Sequence, residues 1–361
     1  MPADPAPAPA LLPLSAAQLQ AAAPTSVPWL WHGYLAPGNV TLLTSPWKAG
    51  KTTLIAALLA RLERGGQLAG QPVRPGSAVV LSEETQQQWA DRSRKFAIGP
   101  QALFLCRPFR HRPQRDDWTA LIGQLLDIHR SARLDLLVVD PLASFLPGPC
   151  ENHAATVLAA LEPLHELTTA GVAVLLLHHP RKQTSAAAQS ARGSGAIAGW
   201  ADILLEMHYF ATGQSADRRR KLLAFSRHDA TPSRQVIELD AAGTDWLAHG
   251  DLDDEEFSHG WKLLRRVLEE ADHKRNRQEL LAAWPEEEGA PSPGTLNRWL
   301  RRAVLQGQLQ RDGKGRANDP YRYWLKSKET AWANEPWWWA DEVHRTRQTT
   351  QGEINVRRTG E

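Results

Sequence analysis

Residues 39–53 read Asn39-Val40-Thr41-Leu42-Leu43-Thr44-Ser45-Pro46-Trp47-Lys48-Ala49-Gly50-Lys51-Thr52-Thr53, a short apolar strand running into a polar turn and then into helix-forming sequence. The turn has the make-up of a phosphate-binding loop. In such a loop, backbone N–H groups and the positive end of the following helix face phosphate oxygens. Lys51 is placed to reach the β and γ oxygens, and the Thr52 hydroxyl to ligate Mg²⁺. Ser45, Pro46, Trp47, Lys48, Ala49, Gly50, Lys51, Thr52 and Thr53 thus form a candidate cradle for a nucleoside triphosphate. The context agrees, because the β-branched strand before the loop is matched by a helical run after it, Leu54-Ile55-Ala56-Ala57-Leu58-Leu59-Ala60. One position is off pattern. Ser45 stands where the first glycine is usual, which requires a φ angle there that a residue with a Cβ tolerates.

Outward from the loop, short apolar runs alternate with longer helical ones: Ser77 to Ser82, Ala102 to Cys106, Leu134 to Asp140, Val172 to His178, Ile203 to Met207, Leu222 to Ser226 and Val236 to Leu239. Strands separated by helices predict an α/β fold with a mainly parallel twisted sheet. The 361 residues exceed one average domain. Residues 1–28, rich in Pro and Ala, read as an arm that is flexible or forms one marginal helix. The nucleotide-binding domain is expected over 29–248. The acidic stretch Asp251-Leu252-Asp253-Asp254-Glu255-Glu256 reads as a linker over 249–258. Over 259–326, three helical segments (Trp261 to Ala271, Asn276 to Trp284, Ser292 to Gly307) precede a polar hairpin pattern from Leu309 to Leu325, an order that suggests a small winged helix-turn-helix domain. Residues 327–361, with Trp332, Trp337, Trp338 and Trp339 followed by polar sequence, are expected to be a disordered tail.

Hydrophobic residues make up 42% and charged residues 23% of the chain, both ordinary for a globular protein. A formal net charge of only +2 means that any affinity for nucleic acid must come from local basic patches. Cys106 and Cys150 stand far apart, with no Cys-x-x-Cys and no His at metal-ligand spacing. Neither a disulfide framework nor a zinc site is supported, and a reducing cytoplasm is the expected setting. No apolar run approaches a membrane span and no basic secretory start is present, so no membrane partner is expected.

Three further strand ends carry chemistry. Leu134 to Asp140 is an apolar strand closing on a carboxylate, which at the edge of a parallel sheet can hold Mg²⁺ beside the phosphate loop. Ser77 to Glu84 ends in two carboxylates; Glu83 is the candidate to orient or deprotonate the attacking water, the alternative being that both acids open a helix at Thr85. Val172 to Leu177 leads into His178-His179-Pro180-Arg181-Lys182, where His179 either touches the γ-phosphate or its water or is a satisfied structural residue. The Ser-, Ala- and Gly-rich segment from Gln183 to Gly195 reads as a loop which, flanked by Arg181, Lys182 and Arg192, either meets a nucleic-acid backbone or is simply solvated. Late in the domain, Arg227 follows a strand and is suited to reach a neighbouring subunit's γ-phosphate.

The series of phosphate loop, Glu83, Asp140, His178-His179 and Arg227 resembles the RepA-like hexameric helicases within the RecA-like ATPases, over roughly residues 29–240. The lead-in Trp29-Leu30-Trp31-His32-Gly33-Tyr34-Leu35-Ala36-Pro37-Gly38 is similar to that family's as well. The resemblance implies a RecA-like P-loop core and ATP bound between adjacent subunits of a homo-oligomeric ring, with Glu83 as catalytic base, Asp140 as the Mg²⁺-linked acid and Arg227 as an arginine finger. It also makes the loop after His179 a favoured site for single-stranded DNA. Ser45, and Phe225 at a position where related ring helicases often have a basic residue, depart from the pattern, and the C-terminal segment is an addition to it.

In a winged helix the third helix enters the major groove and the hairpin meets the backbone. Here Arg298, Arg301 and Arg302 on the helix and Lys314 and Arg316 on the hairpin are the candidate contacts to duplex DNA. Three functions compete: an ATP-driven DNA motor or loader in replication of a mobile element, an ATP-switched DNA-binding regulator that does not translocate, and a protein-assembly ATPase.

Overall fold

Val40-Thr41-Leu42-Leu43-Thr44 is buried at all five positions, as are the corresponding runs at 78–82 and 136–140, which is the pattern of strands covered on both faces. The structure, a computed structural model, describes residues 13–22, 26–147, 154–179, 195–211 and 217–328. The elements up to residue 251 are α1 (Ala16–Ala22), β1 (Val40–Thr44), α2 (Lys51–Arg61), β2 (Gly66–Leu68), β3 (Gln71–Val73), β4 (Ala78–Ser82), α3 (Gln86–Phe96), β5 (Ala102–Cys106), α4 (Arg115–Ala132), β6 (Leu136–Asp140), α5 (Ala154–Leu161), α6 (Leu164–Thr169), β7 (Ala173–His178), α7 (Gly195–Trp200), β8 (Ile203–Tyr209), β9 (Arg219–Ser226), β10 (Arg234–Leu239) and β11 (Trp246–Asp251). They are followed by α8 (Leu252–Glu269), β12 (Arg275–Asn276), α9 (Arg277–Ala282), α10 (Pro293–Leu305), β13 (Leu309–Asp312) and β14 (Arg322–Leu325).

The main sheet has nine strands in the order β11-β10-β9-β8-β1-β7-β6-β4-β5. From β8 to β5 every pairing is parallel. The expected α/β layer with a mainly parallel sheet is therefore present. Strand alternation sends Leu42, Val79, Leu137, Val139 and Leu176 to one face, where Trp118, Leu121 and Leu125 of α4 and Leu164 and Leu167 near α6 pack on them. Leu43, Val80, Val138 and Leu175 alternate with these and are equally buried. Each such side chain contributes about 1.5–3 kcal/mol by leaving water. The β2–β3 hairpin, β11 and the two-residue β12 had no counterpart in the predicted strands, because each is short and lacks an apolar run.

The chain parts into two compact units: residues 1–208, 222–233 and 239–248 form one, and 209–221, 234–238 and 249–361 form the other. The second unit thus begins well before residue 249 and returns to the first twice. Within it, α8, α9 and α10 pack around Leu264, Leu268, Leu280, Leu296, Trp299 and Leu300, and β12, β14 and β13 pair antiparallel. The three predicted helices and the Leu309-to-Leu325 hairpin are present. The acidic linker is not: residues 252–258 are the opening turns of α8, capped by the Asp251 carboxylate on the Asp253 amide at 2.8 Å. Acids are favoured there because they face the positive end of the helix. The tail from residue 329 onward lies outside the described residues.

A Cβ built at Gly260 of α8 would come within 2.5 Å of the Trp299 ring of α10. Gly260→Ala is therefore expected to wedge these helices apart and to destabilise the second unit by about 1–3 kcal/mol. A drop in the thermal midpoint of tryptophan fluorescence checks this; an unchanged midpoint would contradict the packing.

Candidate nucleotide site

Parallel pairing brings the ends of successive strands to one edge of the sheet. Thr44 of β1 is in register with His178 of β7, Val139 of β6 with Leu176 of β7, and Ser82 of β4 with Asp140 of β6. The phosphate loop, His179, Asp140 and Glu83 consequently line the same edge, each supplied by the residue at or just past a strand end. This is the crevice at the carboxyl ends of the strands where open α/β sheets bind ligands.

The loop's left-handed positions among the described residues are Lys48, at φ 60°, and Gly50, at φ 109°. Ser45 is not one of them, so the missing first glycine imposes no backbone strain. Glycine is required at 50 for two reasons. Its φ disfavours any side chain, and a Cβ there would lie 2.8 Å from the buried Trp246 ring. The loop backbone is thereby seated against Trp246, with helix α2 starting at Lys51.

Lys51 is 6% exposed and its ammonium donates to the Ser45 carbonyl at 3.2 Å, to Ser45 Oγ at 3.0 Å and to His179 Nδ1 at 3.0 Å. Because an ammonium has donors only, His179 Nδ1 must be the acceptor, which makes the ring neutral with its proton on Nε2. Partial desolvation of its ring and the Lys51 charge both hold the His179 pKa below its usual value, against the pull of Glu83, although the residue as a whole is exposed. Burial likewise pulls Lys51 down to about 8, with Asp140 opposing. Thr52 Oγ1 donates to Asp140 Oδ2 at 3.2 Å. Burial pushes the Asp140 carboxyl up to about 6, reinforced by Glu84 and Glu83 and opposed by the Thr52 hydrogen bond and Lys51.

The two adjacent acids differ in their partners. Glu84 is held in a two-pronged ion pair by Arg92 of α3, whereas Glu83 accepts from Ser144 Oγ at 2.5 Å and stays at the strand end beside Asp140. The cap of α3 is Thr85 with Gln88 in a reciprocal pair, so neither acid is needed to start that helix. Arg227 is exposed just past β9 and forms no hydrogen bond or ion pair among the described residues. Arg181, Lys182 and Arg192 lie outside the described residues. On the second unit, Arg302 pairs with Asp254 at 2.6 Å and Arg298 with Glu256 at 3.5 Å, while Arg301, Lys314 and Arg316 are exposed. Three contributors were missed from sequence. Ser144 and Trp246 act through contacts distant along the chain, and Glu206 of β8, fully buried opposite Thr44 and bonded to His208, sits in a strand that reads as apolar.

A family model described as an AAA domain matches residues 4–185. The chain belongs to the AAA domain family. The match takes in the phosphate loop, Glu83, Asp140 and His179 and ends before Arg227 and the second unit. No curated protein matches the chain. Proteins of this AAA/RecA-like P-loop class generally bind ATP with Mg²⁺, and the donor set fits: Lys51 would face the phosphates, and the Thr52 hydroxyl and Asp140 carboxylate, hard oxygens of the kind Mg²⁺ takes, would hold the ion. The bound ion would neutralise charge on the phosphate oxygens. Among the described residues no helix is long and apolar enough to cross a membrane.

Lys51→Ala removes the charge facing the phosphates and is expected to abolish nucleotide binding or turnover; wild-type hydrolysis in that variant would refute the site. Asp140 carries an opposite expectation for stability. Between pH 3.8 and about 6 the native carboxyl keeps a proton that the unfolded chain has lost, so stability falls as pH rises through that window and stays lowered above it. Asp140→Asn should therefore stabilise the nucleotide-free protein at pH 7.5 by on the order of 2 kcal/mol, seen as a higher melting temperature, while eliminating Mg²⁺-dependent turnover. Calorimetry with and without nucleotide reads both effects.

Proposed function

We propose that the protein is a ring-forming, ATP-driven DNA motor or loader of the RepA-like type, acting in replication of a mobile element, with single-stranded DNA as the partner of the ATPase core and duplex DNA as a partner of the C-terminal unit. The observation that carries this is the asymmetry of the site. Lys51, Thr52, Asp140 and Glu83 are assembled on one sheet edge, while Arg227, the cation suited to the transferring phosphoryl group, stands exposed at a strand end, as a residue serving a neighbouring copy would.

In this scheme Glu83, steadied by Ser144, accepts the proton of the attacking water, and Lys51 stabilises charge on the β and γ oxygens. Arg227 of one subunit completes the site of the next, which makes hydrolysis dependent on assembly into a ring, expected to be a hexamer. The order of α8, α9, α10 and the β13–β14 hairpin supports a winged helix-turn-helix. One observation speaks for the second reading, a protein partner for this unit: of the five candidate phosphate contacts, Arg298 and Arg302 are engaged by Glu256 and Asp254, and only Arg301, Lys314 and Arg316 stay unpaired among the described residues.

Single-stranded DNA is expected to stimulate ATP turnover, and a forked duplex to be opened in the presence of ATP but not with Lys51→Ala. Turnover unchanged by DNA, with no strand displacement, would sink the motor. Arg227→Ala is expected to bind ATP within about threefold of wild type but to lose about a hundredfold or more in turnover. Mixing it with Glu83→Gln subunits should restore part of the activity, since the Glu83→Gln subunit supplies an intact finger to the intact Glu83 of its neighbour; no recovery at any ratio would argue against a shared site. Filter binding against salt separates the partners of the C-terminal unit: phosphate contacts by the three candidates Arg301, Lys314 and Arg316 predict a log–log slope of about −3 on duplex DNA, and no retention at moderate salt would favour the protein partner.

A further inference from the structure

Ser45 is 1% exposed, and its hydroxyl lies 2.9 Å from the Pro46 carbonyl and 3.0 Å from Lys51 Nζ. A hydroxyl has one proton, and an ammonium can only donate. The hydroxyl therefore gives its proton to the Pro46 carbonyl and turns a lone pair toward Lys51. The Ser45 carbonyl accepts a second ammonium hydrogen at 3.2 Å and His179 Nδ1 a third at 3.0 Å, so all three hydrogens are engaged. These acceptors differ in position: Ser45 is buried behind the ammonium, whereas His179 is exposed beyond the end of β7. An incoming phosphate can displace the exposed acceptor and leave the buried ones in place.

We propose that Ser45 is a positioning residue for Lys51. Its hydroxyl and carbonyl hold the ammonium from behind in both the empty and the loaded site, and the hydrogen that faces His179 turns to the β and γ oxygens when a triphosphate binds. A glycine at this position would supply the carbonyl alone and leave the buried ammonium one acceptor short, free to pivot. The serine is thus more than a tolerated departure from the loop pattern: with φ outside the left-handed region it needs no glycine, and its hydroxyl fixes the direction of the charge. Fixing that direction matters most as negative charge gathers on the bridging and γ oxygens, because a small misplacement then weakens transition-state stabilisation more than ground-state binding. The proposal rests on ATP hydrolysis at this site and is independent of any action on DNA.

The test measures kcat and KM for ATP on the full chain, with and without single-stranded DNA, for wild type, Ser45→Ala, Ser45→Gly and Ser45→Cys, with Lys51→Ala as the inactive reference. Cysteine nearly preserves the side-chain size but is a poor acceptor, so it keeps the test usable if alanine or glycine loosens the loop. All three variants are expected to lower kcat about tenfold with KM within about threefold of wild type, to the same extent in both conditions. Ser45→Thr, which keeps the hydroxyl, should recover most of the loss. Wild-type kcat in the alanine and glycine variants, a change confined to KM, or faster turnover with glycine would each overturn the proposal. Absence of DNA stimulation with the kcat deficit retained would sink the motor alone; stimulation with no deficit would sink the positioning role alone.

Discussion

The Lys51 ammonium and the Asp140 carboxylate are both removed from water at one sheet edge, and the local architecture of the site is organised by that constraint. Burial opposes each charge, drawing Lys51 down and Asp140 up, while each partly supports the other. Such a pair is tolerated only where hydrogen bonds meet the remaining donors and lone pairs. Ser45 and His179 do so for the lysine and Thr52 for the aspartate. A nucleotide with Mg²⁺ brings the counter-charges that both groups lack, so the strain present in the empty site favours loading.

The main sheet turns this local demand into geometry. Parallel register sets strand ends side by side, so Asp140 follows Ser82 across the edge and His178 follows Thr44. The strands carrying these ends are buried on both faces, which denies them the one-residue slip that would send their functional ends elsewhere. Backing of the loop is equally strict, since the Trp246 ring fills the space a Cβ at Gly50 would need. A residue nearly two hundred positions downstream thereby limits what the phosphate loop can be.

Much of this was readable in the chain because it depends on local pattern. The strands at 102–106, 136–140 and 173–178 announce themselves as apolar runs, and the loop announces itself by Gly50-Lys51-Thr52. Ordering within the site was harder to read. Glu83 was preferred to Glu84 from the sequence alone; what the sequence did not show is the physical difference between them, the Arg92 ion pair that occupies Glu84 and the Ser144 contact that holds Glu83. Trp246, Glu206 and Ser144 gave no signal, since nothing in their own neighbourhoods marks what they touch. The Ser45 departure was visible, but its consequence was not: only the position of the Lys51 ammonium shows that the hydroxyl has a partner.

The acidic stretch at 251–256 shows how one composition can support opposite structures. A run of like charges repels itself in isolation and reads as a solvated linker. Placed at a helix start, the same carboxylates meet the positive end of the backbone and gain a cap from Asp251. They also meet cations of their own unit: Arg234 at Asp253, Arg302 at Asp254, and both Lys221 and Arg298 at Glu256. Partly exposed pairs of this kind contribute little stability one by one. Their larger effect is on what remains. By engaging two of the three arginines on the outer face of α10, the opening of α8 lowers the positive field of that helix and leaves Arg301 as its one arginine without an ion pair among the described residues. A polyanion lying along α10 would therefore meet a single unpaired guanidinium rather than three.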